Sequence, residues 1–207
     1  MPGTPGTTQP LSKPLSNAKP VERRTFLRYS LIGSTAAGLG FFGLASLGFL
    51  WPRLGEGFGV EMVVGNAQDL LDEITSERAP AHFAAGRLYV VTWDPSVSGA
   101  EEQYGEDHVM LDETHGLMAL FQRCPHLGCT VPWCQSSQWF ECPCHGSRYN
   151  RWGEYTDGPA PRGMDRFPSR INDDGDLVVD TAVLLTGPSR TGNALQQSPE
   201  GPACVQV

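Results

Sequence analysis

Cys124-Pro125-His126-Leu127-Gly128-Cys129 and, a little further on, Cys142-Pro143-Cys144-His145-Gly146-Ser147 are the stretches on which the reading of this chain turns. Four cysteines and two histidines fall within about twenty residues. The other histidines, His82, His108 and His115, are scattered and read as ordinary surface or core residues. Such crowding of soft and borderline ligands is metal-binding chemistry rather than packing. A C-x-H box with a C-x-x-H box could hold zinc tetrahedrally through two Cys and two His. A plain zinc knuckle, however, has no use for Cys129 and Cys144. Its thiols would also be poorly placed on the oxidising side of a membrane, where the reading below puts them.

The paired boxes, C-x-H-L-G-C and C-P-C-H-G-S, resemble those of the Rieske iron–sulfur family. The resemblance takes in both boxes and, through flanking features, most of residues 60–180. It implies a 2Fe–2S cluster ligated by Cys124, His126, Cys142 and His145, with Cys129 and Cys144 joined as a disulfide between the loops. Pro125 stands where many quinol-oxidising members have Thr, a departure that touches no ligand. Two neutral imidazoles in place of two thiolates leave the cluster less negative, so it accepts an electron at a higher potential. The added charge should also raise the imidazole pKa, coupling electron uptake to proton uptake. Ser147 and Tyr149 stand where the high-potential branch has hydrogen-bond donors to the cluster sulfurs. Gly158-Pro159-Ala160-Pro161 resembles that branch's proline loop, a rigid lid with few N–H groups to solvate. Leu127, at the tip of the first box, is expected to offer an apolar docking contact.

Outward from the boxes, short β-like runs at 60–64, 87–93, 117–122, 130–133, 138–141, 166–172 and 177–179 are separated by turn residues such as Asp173-Asp174-Gly175-Asp176. Residues 69–77 read as a short helix. With Gly 24 and Pro 17, this favours an all-β head: a Rieske-type antiparallel β-sandwich or barrel with a cluster-binding subdomain.

Towards the N-terminus, the run from Tyr29 to Pro52 carries no charge and ends at Trp51-Pro52. As a helix it is about 35 Å long, enough to cross a hydrocarbon core of about 30 Å. Arg23-Arg24-Thr25-Phe26-Leu27 before it resembles a twin-arginine export signal, and the length of the run and the lack of an A-x-A site favour a retained anchor over a cleaved peptide. The basic residues ahead of the run place the N-terminus in the cytoplasm and the head outside, on a bacterial cytoplasmic membrane. The expected organisation is a disordered cytoplasmic tail at 1–22, signal and transmembrane anchor at 23–52, a glycine-rich flexible tether at 53–59, the 2Fe–2S domain at 60–182 and a loosely ordered C-terminal tail at 183–207.

The net charge is −8, and after Tyr29 there is no lysine while acids outnumber arginines by about two to one. An acidic body argues against nucleic acid as a partner. Cysteine arithmetic leaves Cys134 and Cys204, which are expected to pair and tie the tail to the head.

The resemblance is strongest to the iron–sulfur subunit of a cytochrome bc-type complex (quinol:cytochrome c or plastocyanin oxidoreductase). It implies a cytochrome b subunit, a c-type cytochrome and membrane quinol as partners within a dimeric complex. His145 is then the group that accepts the quinol hydrogen bond and proton, and the chain is an electron carrier rather than a stand-alone enzyme. A Rieske ferredoxin or ring-hydroxylating oxygenase typically lacks the disulfide pair and the anchor. The Rieske subunit of a periplasmic oxidase such as arsenite oxidase is the main alternative.

Overall fold

A computed structural model describes residues 22–50 and 58–206, in two units divided at Arg53 and Leu54. The first unit contains one helix, α1 (Arg23–Leu50), with no buried residue along its 28 positions. Its exposed Leu, Ile and Phe side chains and low charge make it long and apolar enough to cross a membrane. This helix covers most of the expected signal and anchor at 23–52; positions 51–52, the expected tail at 1–22 apart from Glu22, and residues 53–57 of the expected tether at 53–59 lie outside the described residues.

The second unit is built from β1 (Glu61–Asn66), α2 (Ala67–Glu77), β2 (Ala81–Phe83), β3 (Leu88–Trp93), α3 (Ala100–Tyr104), β4 (Val109–Met110) and β5 (Gly116–Phe121), followed by β6 (Trp133–Cys134), β7 (Trp139–Glu141), β8 (Arg148–Tyr149), β9 (Tyr155–Asp157), β10 (Arg166–Phe167), β11 (Ser169–Ile171) and β12 (Asp176–Asp180). All strand pairings are antiparallel. They form a sheet in the order β1-β12-β11, a central sheet β10-β5-β3-β2 with β4 also on β5, and a small sheet β6-β7-β8-β9 that carries both cysteine–histidine boxes.

The central sheet is buried on both faces, so β3 and β5 read as nearly continuous apolar runs rather than alternating ones. Alternate side chains part between two cores. Tyr89, Val91, Trp93, Met118 and Leu120 pack with Cys124, Phe140, Cys142, Tyr149 and Trp152 of the box-bearing subdomain. Leu88, Val90, Leu117, Ala119 and Phe121 pack with Leu70 and Ile74 of α2 and with Leu177 and Val179 of β12. The boxes therefore stand on the back of the main core.

Three expectations change in detail. The run at 166–172 is cut at Pro168, which has no N–H for the ladder, and β10 and β11 lie in different sheets. Of the run at 130–133 only Trp133 is in a strand, with Thr130 bridged to Arg123. Phe58 and Gly59, read as tether, are fastened to the head. The Phe58 ring stacks on Phe121 at 5.5 Å under the Arg87 guanidinium, and the Gly59 N–H donates to Thr181 Oγ1 at 2.8 Å.

The C-terminal segment departs furthest from its reading as a loosely ordered tail. It has no strand or helix, yet side chains of the head hold it along most of its length. Gly187 N–H donates to Asp165, Ala194 and Leu195 N–H donate to Glu154, and Val205 N–H donates to Glu141. Glu200 pairs with Arg78 and Arg151, and Cys204 is disulfide-bonded to Cys134. Polar, Pro-rich composition looks like disorder because the partners that order it lie elsewhere in the sequence.

Candidate metal centre

The two boxes are turns of one design. In each, the N–H of the first residue donates to the carbonyl of the sixth: Cys124 to Cys129 and Cys142 to Ser147, both at 2.8 Å. In each, the N–H of the fifth residue, a glycine, returns to the carbonyl of the first: Gly128 to Cys124 at 2.9 Å and Gly146 to Cys142 at 3.1 Å. Both glycines have positive φ, +81° and +74°, which only glycine adopts without a steric cost. The Cys129–Cys144 disulfide ties the loops together, with its sulfurs within 4.8 Å of the Cys142 thiol.

This frame sorts the remaining side chains by depth. Cys124 and Cys142 are free thiols, 3 % and 2 % exposed. Burial pushes the Cys142 thiol up, and the adjacent Cys124 adds to it, while the backbone N–H groups of Cys144 and His145 pull the other way. His126 is half-buried and His145 exposed, their rings 4.9 Å apart in an edge-to-face arrangement. Leu127 projects from the first loop, 71 % exposed. Tyr149 Oη lies 3.1 Å from Cys124 Sγ, and burial first, then contact with Cys124, raises its pKa and keeps the phenol protonated. Ser147 is fully buried, and its Oγ accepts the Ala160 N–H at 3.1 Å.

Residues 158–161 lie directly over the second box. A Cβ on Gly158 (φ +93°) would come within 2.6 Å of Ser147 Cα and 2.8 Å of Gly146 O, so only glycine permits this approach. Ala160 is buried, while Pro159 and Pro161 face outward. Both boxes and the 158–161 loop are thus brought together, with Tyr149 against Cys124, while the Cys134–Cys204 disulfide lies at the other end of the β6–β7 hairpin. His108 is instead buried by α3 and β10, and desolvation, then the Arg166 charge, lowers its pKa to about 3. His82 and His115 are exposed.

Three buried charged residues carried no sequence signal. Glu141 and Glu154 are fully buried carboxylates, and Arg166 is a buried guanidinium over the Tyr104 ring. Glu154 accepts from Tyr104 Oη, Asn150 and two C-terminal N–H groups. Glu141 accepts from Ser137 Oγ and Val205 N–H. Each carboxylate is matched, as a buried charge must be, by one neighbour four residues back and by groups 40 or more residues away.

The family model for the Rieske [2Fe-2S] domain matches residues 94–168, which span both boxes and the proline loop. The cytochrome b6-f complex iron-sulfur subunit of Synechococcus sp. (strain JA-2-3B'a(2-13)) is 33% identical over 175 residues, covering 78% of this chain and 87% of the relative. This chain belongs to the Rieske iron–sulfur family. The corresponding subunit of Microcystis aeruginosa is 34% identical over 119 residues, 56% of this chain and 62% of that one. Among solved structures, the plasma membrane Rieske protein of Synechocystis PCC 6803 is similar at 22% identity and a TM-score of 0.36, over 57% of this chain and 98% of that one.

A Rieske protein carries a Rieske-type 2Fe–2S cluster, and the donor set here fits one. Two buried thiols lie together at the base of the loops and two imidazoles lie together at the rim, a set of two sulfur and two nitrogen donors on opposite sides.

Proposed function

We propose that this chain is the iron–sulfur subunit of a cytochrome bc-type complex, taking one electron and a proton from membrane quinol and passing the electron to a c-type cytochrome. The observation that carries this reading is the polarity of the site: the two free thiols buried, one imidazole half-buried and the other exposed, and a bare leucine next to His126 at the loop tip. Cys124, Cys142, His126 and His145 are the proposed ligands. When bound, the cluster supplies a one-electron couple at raised potential, because two of its ligands are neutral.

The chain's own residues do the rest. His145, the more exposed imidazole, accepts the quinol hydroxyl's hydrogen bond and then its proton at the ring nitrogen facing outward. Leu127 provides the apolar contact by which the loop tip meets a cytochrome b subunit at the membrane surface. Tyr149 and Ser147 offer O–H donors beside the ligand sulfurs and so favour the more negative reduced state. The proline loop covers the Gly146–Ser147 end of the second box.

The relatives named as cytochrome b6-f subunits support this reading over that of a periplasmic-oxidase subunit. In this reading the chain works in a dimeric assembly with b- and c-type cytochromes. In this reading the arginine pair opening α1 is a twin-arginine export signal, the N-terminus is cytoplasmic, and the head works outside a bacterial cytoplasmic membrane. Residues 53–57 would join anchor to head.

The test is redox-titrated electron paramagnetic resonance on native membranes. A high-potential Rieske signal that shifts on adding a quinone-site inhibitor is expected. A low-potential signal indifferent to the inhibitor would overturn the quinol reading.

A further inference from the structure

The lid over the second box is held from outside by a residue that none of the sequence motifs includes. Arg190, in the C-terminal segment, donates through Nε to Ala160 O at 2.8 Å and through Nη2 to Gly158 O at 3.1 Å. Its guanidinium also lies 4.5 Å from the centroid of the Tyr155 ring. Tyr155 Oη donates to the same Gly158 carbonyl at 2.6 Å. One planar fork therefore spans two carbonyls of the lid, and an aromatic face supports the fork.

What the fork holds is tied directly to the second box. Between its two carbonyls, the Ala160 N–H donates to the buried Ser147 Oγ. That hydroxyl accepts one hydrogen bond from the lid and also meets the Tyr149 phenol. Gly158 meanwhile sits against the Ser147 backbone with no room for a side chain. Displacing either carbonyl thus moves the group that orients Ser147.

We infer that Arg190 is a positioning residue for the cluster site, its guanidinium fork seating the Gly158–Pro161 loop on the second box and through Ala160 aiming the Ser147 hydroxyl. This rests on the ligand assignment made above. Arg190 is itself exposed, so its loss should leave the core intact. A lysine carries the same charge but cannot reach both carbonyls with a planar fork.

The test uses the full chain in membranes, comparing Arg190→Ala, Arg190→Lys and Tyr155→Phe with the unaltered protein. Samples are poised at the unaltered protein's midpoint, where oxidised and reduced clusters are equal. Arg190→Ala and Arg190→Lys are expected to show an excess of oxidised cluster of about threefold or more, with a broadened signal from mixed lid positions. Tyr155→Phe, which removes one bond and keeps the ring, should shift the same way by less. Thermal unfolding should change little in all three. Unaltered midpoint and line shape in Arg190→Ala would overturn the inference, and full recovery in Arg190→Lys would show that charge rather than the fork matters and overturn it too. If Arg190→Ala loads no cluster, an unshifted Tyr155→Phe overturns it. Failure of the ligand assignment is seen separately, as a normal Rieske signal surviving Cys124→Ser.

Discussion

The first box, residues 124–129, and the second, residues 142–147, turn through the same pair of backbone hydrogen bonds around a positive-φ glycine. Their surroundings have little in common. Beyond its own turn and the disulfide, the tip of the first loop is met by one side chain, Arg123, donating to Gly128 O at 3.3 Å. Its apex is Leu127, bare to solvent. The second loop leaves Pro143, Cys144 and His145 exposed, but its far end is pinned: Gly158 of the proline loop lies against the backbone of buried Ser147, and buried Glu141 stands just before the loop. One backbone design thus serves two purposes. Both tips are free to meet a partner, through Leu127 and His145, while the pinned end of the second loop carries Ser147, two residues before the Tyr149 phenol that reaches Cys124 of the first.

The largest effect should come from the feature the loops share. Cys142→Ser or Cys124→Ser removes a buried donor and should abolish the Rieske resonance signal. A persisting signal would exclude that residue as a ligand.

Cys129→Ser with Cys144→Ser unties the loops. Opening a 15-residue loop costs about 3 kcal/mol in the chain-entropy picture, so the head should unfold at lower denaturant and lose its cluster faster. Equal stability would mean that the turns hold their relative position without it.

Changes around the second loop's pinned end come next. Gly158→Ala forces a Cβ into the Ser147 backbone at a positive φ and should cost about 1–3 kcal/mol while disturbing the signal. Tyr149→Phe and Ser147→Ala should lower the midpoint potential with little loss of cluster. An unchanged midpoint in both would remove the tuning role of Ser147 and Tyr149.

The smallest effect on the isolated protein should come from the first loop's tip. Leu127→Ala should leave stability within about 0.5 kcal/mol, with potential and spectrum unchanged, and should slow only quinol-driven reduction in membranes. A shifted potential would break the division between the loops.

Much of this was legible in the sequence, because the information is local. The ligand types, their spacing within each box and the glycine at each fifth position all lie within six consecutive residues. The uncharged run of α1 and the buried strands β3 and β5 likewise announce themselves by hydropathy alone. The short strands β8 and β9 did not, since two or three residues cannot show a period.

The sequence by itself determined that this is a Rieske protein with two matched boxes behind a run long and apolar enough to cross a membrane, because side-chain chemistry at fixed spacing needs no fold to be recognised. Only the tertiary structure decided that the C-terminal segment is part of the head. Glu154 and Glu141 receive its amides, Arg151 and Arg78 its Glu200, and its Arg190 reaches back to the lid. Each of these is a pairing between groups tens of residues apart. A polar side chain gives no sign along the chain of which distant amide or carbonyl it will meet. That choice belongs to the packing, which must satisfy every polar group it buries.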